Sequence, residues 1–195
     1  MEHKVRNFDH LIGTMGFSEK LLKDHFTLYA GYVKKLNEIE TKLKTIDKNA
    51  ANYSFNEFSE LKRREAVAFN GTYLHEMYFE NMTKISGQPE VETKKLAEAS
   101  FGSWENLIKD IRATASSTHG WVLLTYSKVD KQLHTYITFE HHIGLPAHQE
   151  IILALNCWEH AFMLDYGINK AGYLDAFFAA VDWKVVEDRL KKANK

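Results

Sequence analysis

Apolar side chains recur at intervals of three to four residues along two long stretches in the first half of the chain. Residues 18–46 form the first stretch and residues 54–85 form the second, and the polar residues 47–52 separate them. This spacing places the apolar side chains on one face of an α-helix. Ser18 stands just before the first apolar face, where a serine can cap a helix N-terminus. The pattern therefore predicts a long helical hairpin, which we assign to residues 1–88.

The pattern changes after the turn-forming sequence Ser-Gly-Gln-Pro at residues 86–89. Shorter helical stretches are predicted at residues 91–100 and 103–117. Runs of apolar, β-branched and aromatic residues then predict strands at residues 121–126, 133–139 and 151–155. The third run is apolar throughout, which predicts that it forms the central strand. We therefore predict an α+β protein, in which the helical hairpin is followed by an α/β domain, residues 89–195, with a three-stranded antiparallel sheet.

Composition and charge limit the classes of partner. The chain has 195 residues and a formal net charge of −1, so it offers no excess of positive charge for nucleic acid or for an anionic membrane surface. No apolar run has the length of a membrane-spanning helix, and no apolar signal segment follows Met1. Cys157 is the one cysteine, so no disulfide can form within the chain. We expect a cytoplasmic protein with neither a nucleic-acid nor a membrane partner.

The histidines provide the candidate chemistry, because the chain contains ten of them. His25 lies in the first predicted helix and His75 in the second, each among apolar neighbours, while His160 follows the third predicted strand. A single metal ion needs three or four ligands that project from rigid elements into a dry space. A lone histidine on an apolar helix face is more often a hydrogen-bonded core residue, so spacing alone does not make these three residues ligands.

Six blocks of sequence resemble a known family. Residues 156–166 read Asn-Cys-Trp-Glu-His-Ala-Phe-Met-Leu-Asp-Tyr, which resembles the signature Asp-x-Trp-Glu-His-Ala-aromatic-x-Leu-x-Tyr of the iron/manganese superoxide dismutases. The other blocks, in chain order, are residues 25–37, 69–81, 101–105 and 120–121, with Tyr173, Leu174 and Trp183 near the C-terminus. The resemblance covers nearly the whole chain and implies the fold of that family.

By this resemblance, His25, His75 and His160 are metal ligands. Asn156 occupies the place of the family's aspartate ligand. Strict counting within the first block would place a ligand at Asp24, and we prefer His25 because its residue type is right. The resemblance also implies one iron or manganese ion per subunit, held at the interface between the hairpin and the α/β domain, with superoxide as the substrate.

The resemblance also implies roles around the metal. Tyr32 matches a tyrosine beside the open metal position, and we expect it to act in catalysis. His141 is our second catalytic candidate, since the family places a glutamine, or sometimes a histidine, against the metal-bound solvent; His142 is the alternative. Trp121 and Trp158 match the aromatic side chains that keep the site dry.

Two more residues are expected at the edge of the site. Lys170 stands where the family commonly has an arginine near the substrate funnel. Glu159 matches a glutamate that bridges to the metal-ligand histidine of the partner subunit. The resemblance therefore implies a homodimer through Glu159.

Asn156 determines the functional alternatives. Its amide is neutral where the family has a carboxylate, so we expect weaker metal binding and poorer redox cycling. The first hypothesis is disproportionation of superoxide to dioxygen and hydrogen peroxide at a mononuclear iron or manganese site. The second is a weakly active or inactive metal-binding homologue. Another non-haem metal activity is the third, although the chain has neither a Glu-x-x-His nor a His-Glu-x-x-His motif.

Overall fold

Seven α-helices and a three-stranded antiparallel sheet are formed by residues 2–195, the part of the chain that the computed structural model describes. The helices are α1 (Glu19–Thr45), α2 (Glu57–Glu80), α3 (Val91–Phe101), α4 (Trp104–Ser116), α5 (Met163–Tyr166), α6 (Lys170–Ala179) and α7 (Trp183–Ala193). The strands are β1 (Trp121–Ser127), β2 (Leu133–Thr138) and β3 (Gln149–Asn156). The predicted α+β class, with its long hairpin and three strands, is confirmed. Met1, the first residue of the predicted hairpin domain, lies outside the described residues.

The two long helices begin at capping side chains. The hydroxyl oxygen of Ser18 accepts a hydrogen bond from the backbone N–H of Leu21 at 3.0 Å, as the sequence predicts for the start of α1. The side-chain oxygen of Asn56 accepts the backbone N–H of Phe58 at 2.9 Å and caps α2. Each cap satisfies one of the backbone donors that a helix N-terminus leaves free.

Helix α2 ends at Glu80 rather than near residue 85. Beyond its end the backbone N–H of Thr83 donates to the carbonyl oxygen of Ala180 at 2.8 Å. Met82 also forms an isolated antiparallel bridge with Val181. The chain leaves the helix because this segment pairs with the end of α6, a tertiary contact that helical periodicity does not reveal.

Strand β1 occupies the centre of the sheet, and the prediction that the third strand is central was wrong. The strand order is β2-β1-β3, and every residue of β1 is buried. Helices α2 and α7 pack against β3. The side-chain amide of Asn81 donates to the carbonyl of Ala154 at 2.7 Å, and the Arg189 guanidinium donates to that of Ile152 at 3.2 Å. Helices and side chains therefore bury this edge strand, which accounts for its apolar sequence.

The main hydrophobic core contains side chains from both the hairpin and the sheet region, from Phe8 to Ala193. Tyr29 and Phe79 of the hairpin belong to it, as do Trp121 of β1 and others of the last two helices. None of the helices within residues 2–195 is long and apolar enough to cross a membrane. The division at residues 88 and 89 into two domains stays a prediction.

Candidate metal centre

Two buried histidines and one half-buried histidine converge where the hairpin meets the end of β3. His25 comes from α1, His75 from α2 and His160 from the 3-10 helix Glu159–Ala161 that follows β3. One potential ligand atom from each ring lies within 4.8 Å of those of the other two. The Nε2 atoms of His75 and His160 are 3.4 Å apart. The neighbouring Asp24 is exposed and pairs with Lys20 in the same helix, so it does not take part in this cluster.

A backbone hydrogen bond sets the orientation of His75. Its Nδ1 atom donates to the carbonyl oxygen of Gly71, one turn earlier in α2. Since a neutral imidazole carries one proton, Nε2 of His75 keeps its lone pair and faces the cluster. A backbone acceptor on the outer ring nitrogen is the arrangement that fixes metal-binding histidines in proteins.

All three imidazoles are held in the neutral form, which is the form that binds a metal. Burial lowers the pKa of His25 and His75 well below 6.5, and the nearby His160 ring lowers the pKa of both further. Burial likewise lowers the pKa of His160 to about 4. Three neutral imidazole nitrogens are therefore available together as metal ligands, in a space that they share with Asn156.

The Asn156 amide lies among the three imidazoles at the end of β3. Its Nδ2 atom is 3.1 Å from Nε2 of both His25 and His160, and 3.4 Å from Nε2 of His75. Its Oδ1 atom accepts the backbone N–H of Trp158 at 2.9 Å. The structure thus places Asn156 beside the three imidazoles, with the nitrogen of its amide facing the histidines.

His141 and Tyr32 form a hydrogen-bonded pair beside the cluster. The indole N–H of Trp121 donates to Nδ1 of His141 at 2.9 Å. Because Nδ1 accepts, the ring proton is on Nε2, which lies 2.6 Å from the Tyr32 hydroxyl and donates to it. The Tyr32 ring stacks on His75, with centroids 5.4 Å apart. Of the two histidines proposed from the sequence, His141 makes these contacts; Nδ1 of His142 is buried without a partner in the described chain.

The pKa values of this pair keep both groups neutral. Burial, together with the nearby His142 and Arg64, lowers the pKa of His141 to about 4. Burial raises the pKa of Tyr32 above its usual value. Tyr32 therefore accepts from His141 and keeps its own hydroxyl proton.

Two tryptophan rings lie against the cluster. The Trp121 ring is perpendicular to His75, with centroids 5.0 Å apart. The Trp158 ring stacks against His160 at 6.3 Å and also approaches His141 at 5.7 Å. Apolar ring surfaces on these sides limit the access of water to the imidazole nitrogens.

The two charged residues predicted at the edge of the site have different surroundings. Glu159 is exposed, and its carboxylate makes no hydrogen bond or ion pair with any of residues 2–195. The Lys170 ammonium donates to the carbonyl oxygens of Ala115 and Thr118, at the C-terminal end of α4. Lys170 thus holds this helix end, where a cation is favoured by the helix dipole.

Three residues support the site without having been predicted to do so. Asn70 donates from its side-chain amide to the backbone carbonyl of His141 at 2.8 Å. The Tyr173 hydroxyl donates to the backbone carbonyl of Asn156 at 2.6 Å. A Cβ atom at Gly71 would lie 2.5 Å from the Tyr32 ring, so only glycine leaves room for that ring. All three residues fall in the sequence blocks that carry the family resemblance, which was the available signal.

Known proteins of one family are similar to this chain. The profile of the iron/manganese superoxide dismutases, C-terminal domain, matches residues 89–189. The chain is 32% identical to a superoxide dismutase [Fe] of Aquifex pyrophilus, covering 99% of this chain and 94% of that protein. The chain belongs to the iron/manganese superoxide dismutase family. Within that family it is also 36% identical to a superoxide dismutase [Mn] of Haloarcula marismortui, over 90% of this chain and 86% of that protein. A superoxide dismutase [Fe] of Cupriavidus metallidurans is likewise 36% identical, over 91% of this chain and 90% of that protein.

The donor set of this superoxide dismutase family member fits a transition-metal ion. Imidazole nitrogen is a suitable ligand for iron and for other first-row divalent ions. Ligand nitrogens about 2.1 Å from one metal ion stand roughly 3 to 3.5 Å from each other, and the 3.4 Å between His75 and His160 meets that requirement. Relatives named for iron and relatives named for manganese match the chain to similar degrees, so the family supports either metal.

Proposed function

We propose that the protein disproportionates superoxide to dioxygen and hydrogen peroxide at a single iron or manganese ion held by His25, His75 and His160, with Asn156 in the fourth position. The observation that carries this proposal is the convergence of three neutral imidazoles, two of them buried and the third half-buried, within 4.8 Å of one another. Family membership supports the reaction class and the choice of iron or manganese. A cytoplasmic location stays a prediction from the sequence.

The bound metal would supply the one-electron chemistry, by accepting an electron from one superoxide and giving an electron to the next. The residues of the chain supply positioning, exclusion of water and protons. Two protons are consumed for each hydrogen peroxide formed. The Tyr32 hydroxyl accepts from Nε2 of His141, so its own proton is directed away from His141 and is free to be donated. Its raised pKa keeps that proton in place until a more basic acceptor is present.

The second candidate function is that of a weakly active or inactive metal-binding homologue. The specific observation in its favour is the orientation of the Asn156 amide, whose nitrogen faces the three imidazoles. A neutral residue at this position leaves a bound ion with one more unit of positive charge than a carboxylate would. The reduced form of the metal is then favoured, which slows the half-reaction in which the metal must become oxidised.

We also propose that two copies of the chain associate through the face that carries Glu159. A shallow apolar groove on this face is lined by Leu21, Asp24, His25, Leu28, Glu159, His160, Met163 and Leu164. About half of the Met163 and Leu164 surface is exposed, at 49% and 52%. The Glu159 carboxylate, next in sequence to His160, has no partner among residues 2–195. A second copy in a two-fold arrangement would bring the partner carboxylate to this ring.

The experiment that tests the function loads the purified protein separately with iron and with manganese. Metal content and superoxide decay are then measured for the wild type, Asn156→Asp and His75→Ala. His134→Ala, a change at a partly exposed histidine outside the cluster, is the matched control. We expect loaded wild type to accelerate superoxide decay above the rate with free metal. His75→Ala should lose metal, and His134→Ala should behave as wild type.

Two results decide between the candidates. If the loaded wild type shows no acceleration while Asn156→Asp does, the protein is the inactive homologue and Asn156 is the reason. If His75→Ala keeps the stoichiometry and affinity of wild type for metal, the ligand assignment fails and both candidates fail with it.

A further inference from the structure

The side chain of Asn156 is fully buried and has neighbours of opposite kinds at its two ends. At one end is the backbone N–H of Trp158, 2.9 Å from Oδ1. At the other end are the Nε2 atoms of three imidazoles. Nε2 of His75 keeps its lone pair, because the ring proton is on Nδ1 and is donated to the carbonyl oxygen of Gly71. The first end needs an acceptor, and the second needs either a donor or a cation.

These neighbours determine which end of the amide is oxygen. A backbone N–H can only donate, so the atom that faces Trp158 must be the carbonyl oxygen, and the NH2 group must face the histidines. The two amide hydrogens then point towards the two nearer ring nitrogens, Nε2 of His25 and of His160, each of which accepts when its ring proton is on Nδ1. This orientation satisfies every polar atom of the side chain.

A metal ion bound by the histidines requires an oxygen, not an NH2 group, at the end of the Asn156 amide that faces them. The hydrogens of a neutral amide repel a cation, and the amide nitrogen does not offer its lone pair as a ligand. Rotating the amide by a half turn would present the oxygen to the ion, but it would place NH2 against the N–H of Trp158. A carboxylate has no such conflict, because one oxygen can accept from Trp158 while the other binds the ion.

We infer that Asn156 acts as a two-position switch, in which the NH2 group closes the three-histidine site and metal binding turns the amide at the cost of the Trp158 hydrogen bond. This inference rests on the metal site of the proposed function and concerns how the chain admits an ion. Two consequences follow. The backbone N–H of Trp158 loses its acceptor when the site fills. The affinity for metal is lower than that of Asn156→Asp, by about 10- to 100-fold for the lost hydrogen bond and by a further factor for the missing negative charge.

The test uses Zn2+, which has no redox chemistry and leaves nuclear magnetic resonance signals sharp. Protein labelled with 15N is prepared without metal by chelation. We expect the Asn156 NH2 protons to exchange slowly with solvent and to show couplings across hydrogen bonds to imidazole nitrogens. The Trp158 amide proton should also be protected. On saturation with Zn2+ its exchange should accelerate at least tenfold, and its resonance should move to the position of an unbonded amide.

Asn156→Asp is the informative variant and Asn81→Asp is its matched control. Asn81 is also fully buried, but it donates to Ala154 and accepts from Arg189, away from the histidines. In Asn156→Asp the Trp158 amide should stay protected with Zn2+ bound, and the Zn2+ dissociation constant should fall at least about 10-fold. Asn81→Asp should leave the dissociation constant unchanged.

The inference is overturned if the Trp158 amide of wild type keeps its shift and protection at saturating Zn2+. It is equally overturned if the Asn156 NH2 protons of the metal-free sample exchange as freely as those of an exposed asparagine. These readouts do not depend on turnover, so failure of superoxide decay with iron or manganese would remove the proposed function and leave them intact. If Asn156→Asp does not fold, the two wild-type signals decide the question alone.

Discussion

The Nε2 atom of His141 lies 2.6 Å from the hydroxyl oxygen of Tyr32 and donates its proton to it. This direction follows from the other side of the ring, where Nδ1 accepts the indole N–H of Trp121. A chain of three side chains therefore runs from β1 to α1 and ends on a hydroxyl whose proton points away from His141. Its direction requires one acceptor and one donor at position 141.

Glutamine can supply both groups at position 141, and leucine can supply neither. We expect His141→Gln to retain most of the superoxide decay of the metal-loaded protein. His141→Leu should lower the rate by about 10- to 100-fold, because the Tyr32 hydroxyl is no longer oriented. The leucine variant should also lose about 1–3 kcal/mol of unfolding free energy, since the Trp121 N–H is left buried without an acceptor. Urea denaturation and superoxide decay measure the two effects; equal losses in both variants would contradict the assignment.

Gly71 leaves the space that the Tyr32 ring occupies. A Cβ atom at this position would stand 2.5 Å from the ring, while one at Gly31 of α1 would meet nothing within 4 Å. We expect Gly71→Ala to lower the free energy of unfolding by about 1–3 kcal/mol through overpacking. Gly31→Ala should raise it by about 0.5–1 kcal/mol, because alanine favours the helix. Thermal unfolding of both variants checks the pair, and an unchanged Gly71→Ala would show that Tyr32 packs elsewhere.

Local signals in the sequence were sufficient for much of the fold. Ser18 predicted the start of α1, since an N-cap is a property of a few adjacent residues. The order of the strands in the sheet was harder to predict. The apolar run in β3 indicates burial on both faces, but it does not say whether strands or helices provide the cover. Here α2 and α7 do so, with Asn81 and Arg189 bonded to the strand edge.

The metal centre shows the same contrast between what local sequence signals predict and what only tertiary contacts determine. The resemblance selected His25, His75 and His160 because residue type and order survive in a sequence motif, and the structure brings their rings together. It could not reveal which end of Asn156 faces them. That orientation depends on the N–H of Trp158, a backbone group that every residue except proline would supply. The direction of a hydrogen bond is a property of the assembled structure.

Association through the Glu159 face predicts a specific sensitivity to charge. Met163 lines the groove on this face and is 49% exposed. We expect Met163→Asp to weaken self-association at least tenfold, because an unpaired carboxylate would be buried against the partner. Val129→Asp is the matched control, since Val129 is 77% exposed in the turn between β1 and β2, at the end of the sheet opposite Asn156.

Sedimentation velocity over a range of micromolar concentrations measures this association. Glu159→Gln should shift the wild-type dimer towards monomer, and it should do so without changing the free energy of unfolding of the monomer. A wild type that sediments as a monomer throughout, or a Met163→Asp variant that remains as dimeric as Val129→Asp, would remove this interface.

Glu187 of α7 provides a prediction that is independent of the metal. Its Oε2 atom accepts the backbone N–H of Thr93 at 2.8 Å and the Thr93 hydroxyl at 2.5 Å, at the N-terminus of α3. The Lys191 ammonium lies 3.2 Å from its other oxygen. Burial by itself would raise the pKa of this carboxyl, but the Thr93 hydrogen bonds and Lys191 outweigh it and lower the pKa below 4.5. The ionised carboxylate thus ties α7 to α3.

Replacing Glu187 by glutamine should therefore lower the free energy of unfolding by about 1–3 kcal/mol at neutral pH. The lowered pKa also determines how this difference depends on pH. Below pH 4.5 the unfolded chain binds a proton at this carboxyl before the folded chain does, so the stabilisation is complete above that pH and is lost as the pH falls through the folded value. Urea denaturation of wild type and Glu187→Gln should accordingly converge in acid. Glu98→Gln, a change at an exposed position of α3, should stay within about 0.5 kcal/mol of wild type throughout. A gap between wild type and Glu187→Gln that persists unchanged to pH 3 would mean that the charge of Glu187 does not hold the two helices together.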